Sequence, residues 1–348
     1  MAVGDSPRVT VFVPVHDRAH VLRESLETVL AQSFTDFELL VIDDGSSDAS
    51  VEIARSIGDP RVRVVVQDRN RGIPATRNHG LDLARGELLA MVDSDDHVHP
   101  DRLAQQVAFL DAHPRIAAVG SWALRMDESG RPSGGPLLRP TDPREIRGRI
   151  LFVSCFKNPT MTARTRILRE FRYREQFTIA SDIDIWARIS REHELANLPR
   201  FLIRYRAGGV SHRSDALRFE MRCRIARDML HELGVPFDGR DVAGHVQLRN
   251  LSGCRPDREL LEWSEDWLHR LVHANARARC FPEPEFTRAA AERWLLLGLR
   301  ALRAGHLPAP SGSLGRRAAA LFGGIGGYAR LGAGLLEGWS RALTRIAR

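Results

Sequence analysis

Lysine is nearly missing from this chain: of 51 Lys and Arg residues, Lys157 is the single lysine. So extreme an excess of arginine fits a GC-rich genome better than an adaptation to polyanions, and a dedicated nucleic-acid partner is not expected. Cysteine is sparse too. Cys155, Cys223, Cys254 and Cys280 lie far apart with no C-x-x-C pair, which excludes a zinc knuckle or a disulfide framework and suits a reducing compartment. The opening residues 1–7 lack a basic segment followed by an apolar core, so no secretory leader is expected. The largely apolar stretch 318–329 is bounded by Arg317 and Arg330 and falls short of the roughly 20 residues that cross a bilayer. No G-x-G-x-x-G follows the first apolar run and no Walker A motif occurs, which argues against dinucleotide oxidoreductases and P-loop enzymes.

What is present is a globular composition of 348 residues, 43% hydrophobic and 27% charged, enough for one large domain with an appendage or for two domains. The formal charge is +7, and it is not spread evenly. Residues 299–348 hold eight arginines against Glu337 alone, so the remainder is balanced.

Over the first 120 residues apolar runs alternate with helical spacings. Val9–Val15, Phe37–Ile42, Val62–Val66, Leu88–Val92 and Ile116–Val119 read as strands, and Val21–Leu30, Val51–Ile57, Ile73–Ala84 and Pro100–Leu110 as helices. Strands written as continuous apolar runs belong to a sheet covered on both faces. The expected class is α/β, a Rossmann-like doubly wound mixed sheet. Past Gly120 the pattern changes: a turn at 127–135, helices at 144–152 and 182–193, and a strand at 198–205. Beyond about 216 only helical segments are expected, at 217–233, 264–278 and 286–304.

In open α/β sheets ligands bind beyond the carboxyl ends of the strands. Three of those ends are polar here: Pro14-Val-His-Asp17, Asp43-Asp-Gly-Ser-Ser-Asp48 and Asp93-Ser-Asp-Asp96. Carboxylates gathered on one edge repel unless a cation or hydrogen-bond donors compensate them. Mg²⁺ or Mn²⁺ suits such a place, because it takes one or two carboxylates and completes its shell with water and phosphate oxygens.

With Ser33-Phe-Thr-Asp-Phe-Glu38, Ala75-Thr-Arg-Asn78, Ala84-Arg-Gly-Glu87 and Pro100-Asp-Arg-Leu103 added in order, the text over roughly 8–215 resembles the inverting, nucleotide-sugar-dependent glycosyltransferases of family 2, which have the GT-A fold. The resemblance implies a catalytic domain at 1–216, followed by a helical extension at 217–305 and a linker and basic tail at 306–348. It implies that Pro14, Val15, Asp17, Asp43, Asp44, Arg77, Asp93 and Ser94 bind the nucleotide, and that Asp95 with Asp93 holds Mn²⁺ or Mg²⁺ against the diphosphate. His212 is a candidate further metal contact, since Gly208 occupies the slot where the family can place a histidine. The catalytic base implied is Asp182, in Ser181-Asp-Ile-Asp-Ile-Trp186, with Ser181 where an acid is more usual. Lys157, Asn158, Ser181 and Trp186 are candidates for contacts to donor or acceptor sugar. The alternative reading of Ser181 or Asp182 is a helix cap, and that of Asp48 and Asp96 a turn former.

The resemblance further implies a nucleoside-diphosphate sugar donor, with UDP the commonest base. The acceptor would be a saccharide, a lipid-linked or another hydroxyl compound, as in cell-surface polysaccharide or glycolipid synthesis. A chain that kept the fold but lost turnover is the competing reading. In the tail, Leu321, Ile325, Tyr328, Leu331, Leu335, Trp339, Leu343 and Ile346 recur at spacings of three and four. Residues 311–348 are therefore a candidate amphipathic helix for an anionic membrane surface, or one that packs on the protein or on a second subunit in a homo-oligomer. The expected location is cytoplasmic, at the inner face of the membrane if the tail binds lipid.

Overall fold

The computed structural model describes residues 6–207, 215–251, 254 and 256–303. His212 and the tail beyond Arg303 lie outside the described residues. The described residues cluster into two compact units, those up to Ile146 together with those from Ser154 to Met221, and Arg147–Val153 together with those from Arg222 to Arg303.

The first unit is built on an eight-stranded sheet of order β3-β2-β1-β4-β7-β6-β8-β5. Strands β1 (Val9–Val15), β2 (Phe37–Asp43), β3 (Val62–Val66) and β4 (Leu88–Met91) run parallel. All seven residues of β2 are buried, as are six of the seven in β1, so the continuous apolar runs do mark strands covered on both faces. Beyond β4 the sheet becomes mixed. The short β7 (Thr162–Arg164) is antiparallel to β4 and to β6 (Ile116–Met126); β6 pairs parallel with β8 (Glu194–Arg206), and β8 antiparallel with β5 (His97–Val98).

Helices α1 (Ala19–Leu30), α2 (Ser50–Arg55), α3 (Ile73–Leu83) and α4 (Arg102–Ala112) are the crossovers of the parallel half. Helix α1 buries Val21, Leu22, Ser25, Leu26 and Val29, a stripe at helical spacing. Later come α5 (Pro143–Arg149), α6 (Thr165–Phe171), α7 (Ser181–Ile189) and the start of α8 (Asp215–Leu233). The turn expected at 127–135 is present: the Asp127 amide donates to the Arg131 carbonyl at 2.8 Å, and antiparallel bridges join Met126 to Pro132 and Ala123 to Leu137.

The second unit is helical among its described residues. It comprises the remainder of α8 with α9 (Gly239–Arg249), α10 (Arg258–Ala278) and α11 (Glu285–Arg303). Asp238 and Asp241 form a capping box at the start of α9, and Asp257 caps α10. The short segment Arg147–Val153 belongs here: Phe152 packs on Phe286 and His245, and His245 in turn on Trp267. His245 is fully buried, its Nε2 bonded to the Leu151 carbonyl at 3.0 Å, while its Nδ1 accepts from the Trp267 indole at 3.2 Å. Among the described residues no helix is long and apolar enough to cross a membrane.

Candidate active site

Because β1, β2 and β4 are parallel, their carboxyl ends lie on one edge of the sheet and deliver all three polar segments to the same place. A cleft of about 390 Å³ opens there. Its floor includes Pro14 and Val15 from β1, Asp44 beyond β2, and Asp93, Ser94 and Asp95 beyond β4. Arg77 of α3, Lys157, Asn158, Ser181 and Asp182 line it as well. Eleven of the sequence candidates therefore meet in one cavity. Three others do not line it: Asp17, Asp43 and Trp186 are absent from its wall.

Those three shape the loops behind the cleft. Asp17, at φ 51°, accepts the Ser47 amide at 2.8 Å, and this contact holds its carboxyl below the usual range despite some cost of burial. Asp43 accepts the Ser46 amide at 2.9 Å. Asp48 accepts the Ala19 amide at 2.9 Å and so caps α1. Between them Gly45 adopts φ 71°, and a Cβ there would meet the Arg69 backbone at 2.6 Å, so the loop needs glycine. Trp186 is buried beneath the wall, edge-on to Phe156, and its indole donates to Asn158 Oδ1 at 3.3 Å.

Asp44 is nearly saturated. Its Oδ1 accepts from Gln67 Nε2 and the Arg71 amide, both at 2.7 Å, and its Oδ2 from the Gly72 amide at 3.0 Å. A carboxylate has about four acceptor positions, so one direction stays open toward the cleft. Thr76 is tied to the same Gln67 amide at 2.8 Å. The result fixes the start of α3, and Arg77 with it.

The acidic loop after β4 is crowded. Burial raises the Asp93 carboxyl, Arg77 opposes this, and Asp95 adds to it, with Lys157 and Asp182 acting more weakly in opposite senses. Asp96 is fully buried; its Oδ1 accepts the Arg206 amide at 2.9 Å and its Oδ2 has no partner among the described residues. Burial pushes its carboxyl well above the usual range, and Asp93 and Asp95 push in the same direction. Beneath the loop Arg102 is wholly buried and donates to the carbonyls of Met91 and Met161, both at 2.9 Å. Burial lowers its guanidinium to about 9, so it remains a cation at neutral pH.

Two further arginines were not singled out by sequence. Arg18 lines the cleft with its Nε 3.9 Å from Asp95 Oδ2, and Arg206 donates from Nε to the Asp95 carbonyl at 2.9 Å. Arg206 also binds the carbonyls of Asp127 and Glu128, so it ties the acidic loop to the turn at 127–131. Position was the available signal: one follows β1 and the other ends β8.

At the far wall, α7 starts after Ala180 at φ 62°, and no side chain caps it. The Ser181 hydroxyl accepts from Arg77 Nη1 at 3.1 Å instead, and Asp182 faces the cleft. Asp184 is buried and bonded by Arg174 and Arg188, a structural ion cluster. Lys157 Nζ stands 3.5 Å from the centroid of the Tyr205 ring, and the buried Asn158 Nδ2 has no partner among the described residues.

Among the described residues no three His, Cys, Asp or Glu side chains form a metal cage. Asp93 and Asp95 offer two carboxylates at an edge where negative charge is in excess. This donor set fits a hard divalent ion that takes the rest of its shell from water and phosphate.

Residues 10–174 match glycosyl transferase family 2. The succinoglycan biosynthesis protein ExoO of Rhizobium meliloti is 31% identical over 278 residues, which cover 75% of this chain and 77% of that one. EpsE of Bacillus subtilis, named as a glycosyltransferase, is 31% identical over 196 residues, covering 55% and 69%. The solved structure of S. aureus TarS 1-349 superposes with a TM-score of 0.55 at 20% identity, covering 85% and 88%, and so shares the fold. With its acidic loop after β4 and this extent of likeness, the chain belongs to glycosyltransferase family 2, on a GT-A fold with a helical C-terminal region.

Proposed function

We propose that the cleft moves a sugar from a nucleoside-diphosphate sugar to an acceptor hydroxyl with inversion at the anomeric carbon. The observation that carries this reading is the placement of Asp182 in the same cavity as Asp93 and Asp95, close enough for its charge to act on Asp93. One wall thus offers a proton acceptor and the other a seat for a diphosphate.

In this reading Asp44 accepts a base N–H in its remaining direction, and Pro14 and Val15 pack on the base. Arg77 and Lys157 offset the diphosphate charge, and Asn158 Nδ2 donates to the sugar. Asp93 and Asp95 would hold Mn²⁺ or Mg²⁺, whose chemistry when bound is to stabilise negative charge on the departing diphosphate. Asp182 takes the proton of the acceptor hydroxyl as it attacks from the opposite face. TarS has been solved with UDP and with UDP-GlcNAc, which supports a UDP-sugar donor. ExoO acts in succinoglycan biosynthesis by its name, which supports a saccharide acceptor in polysaccharide assembly.

Thermal shift with UDP, GDP and their sugars, with and without Mn²⁺, tests the reading, because a ligand of the native state raises its stability by mass action. A metal-dependent rise with UDP, accompanied by donor turnover, is expected. No shift with any nucleotide overturns it, and binding without turnover on any donor would point to a non-catalytic protein.

A further inference from the structure

The parallel strands have a second edge. Arg8, Asp36 and Glu87 immediately precede β1, β2 and β4, so they gather at the amino ends, one strand length, about 20 Å, from the cleft. There the chain encloses a cavity of about 450 Å³. Arg8, Arg85, Arg164, Arg166 and Arg169 line it, against Asp36 and Glu87 as the only acids in its wall.

Several of these cations form no direct ion pair among the described residues. Arg8 pairs with Glu87 and Asp111, and Arg85 with Glu38. Among the described residues Arg164, however, bonds only main-chain carbonyls, those of Ile116, Leu110 and His113. Arg169 likewise bonds, among the described residues, only the carbonyls of Leu81 and Ala84. Each is held in place by neutral acceptors that leave its charge intact. Arg166 is exposed and has no ion-pair partner among the described residues. Burial, then the charges of Arg166 and Arg8, lower the Arg164 guanidinium, while Asp111 opposes them more weakly.

The floor is built closely. Gly86 lies so near β1 that a Cβ would meet the Thr10 amide nitrogen at 2.3 Å. The Thr10 hydroxyl accepts the Gly86 amide at 2.8 Å and itself donates to the buried Glu38 at 2.7 Å. The Ala84-Arg-Gly-Glu87 segment, which the cleft does not use, is thereby fixed as one wall of this cavity. Planar guanidiniums pinned by carbonyls suit the bidentate recognition of phosphate oxygens.

We propose that this cavity is a second anion site, separate from the cleft, that takes a phosphate-bearing group. The phosphate could belong to a soluble compound or to a lipid headgroup, and the test separates the two.

The full chain is titrated calorimetrically with inorganic phosphate in the absence of metal, and sedimented with phosphatidylcholine vesicles with and without phosphatidylglycerol. Arg166→Glu, at an exposed residue with no ion-pair partner among the described residues, keeps the fold intact, which its melting temperature checks; Arg166→Glu with Arg169→Gln is the stronger variant. Reversing one of the clustered charges is expected to weaken the interaction about tenfold or more, while Arg77→Ala in the cleft leaves it unchanged. Loss confined to inorganic phosphate identifies a soluble ligand, and loss of sedimentation with anionic vesicles a headgroup. If Arg166→Glu, and the double variant where it folds, weaken neither, or if only Arg77→Ala does, the proposal is overturned.

Discussion

Arg77, in the second turn of α3, donates from Nη1 to the hydroxyl of Ser181 at 3.1 Å, joining segments 104 residues apart. Its Nε is buried without a partner among the described residues, and its guanidinium lies 5.3 Å from the centroid of the Tyr173 ring. A serine steers this cation without neutralising it. Arg77 therefore keeps its positive charge in the cleft.

Arg77→Ala is expected to weaken nucleoside-diphosphate binding by about ten- to a hundredfold, the range of charge-assisted hydrogen bonds. Ser181→Ala leaves the cation and should cost much less. Ser181→Asp supplies a carboxylate that captures the guanidinium, and should weaken binding nearly as much as Arg77→Ala. Calorimetry on the three variants checks the order; equal affinities would show that Arg77 does not meet the diphosphate.

Asp182→Asn keeps the shape of the wall and removes the proton acceptor. The expected result is a fall in kcat of about 10²- to 10⁴-fold, the usual share of general-base catalysis, with donor affinity nearly unchanged. Steady-state transfer and donor titration on the same preparation check it. Near wild-type turnover would remove Asp182 from the mechanism.

Much of the parallel half of the fold is legible in the amino-acid sequence, for a physical reason. Strands β1 and β3 have the bounds that their β-branched runs suggest, because a strand covered on both faces must be apolar throughout. The acids after β1, β2 and β4 follow where the runs stop. What sequence could not separate was a residue that lines the cleft from one that shapes the loop behind it. Asp43 and Asp44 are neighbours, yet Asp43 closes its own turn while Asp44 reaches the cavity. Helix α9 was missed because one of its core positions is His245, a polar residue whose burial depends on partners at 151 and 267. Arg18 and Arg206 were missed because their contacts to the acidic loop are made only by tertiary packing.

Arg102 tests the support beneath that loop. Arg102→Met preserves the apolar stem but removes the bonds to the Met91 and Met161 carbonyls and to Gln106 Oε1, leaving those acceptors buried. Each buried acceptor left unsatisfied costs about 1–3 kcal/mol. Denaturant unfolding should show a loss of that order, and Arg102→Lys should recover part of it. A loss below about 1 kcal/mol, the scale of an exposed ion pair, would show that the guanidinium contributes little there.

The second unit carries a pH signature of its own. Burial, with the nearby Arg249 adding to it and the Leu151 carbonyl opposing, lowers His245 from an ordinary value of 6.5 to about 3. The unfolded chain therefore binds a proton between these values that the folded chain refuses. Stability is full above pH 6.5 and falls as the pH drops toward 3, by up to about 1.4 kcal/mol per pH unit from this group. His245→Gln loses some stability at pH 7.5, where the imidazole joins Leu151 to Trp267, but gives up this acid-sensitive contribution. Urea unfolding of the helical signal at pH 7.5, 6 and 5 should show the variant's curve flattening relative to wild type. Parallel curves would mean that His245 takes up its proton without cost to the fold.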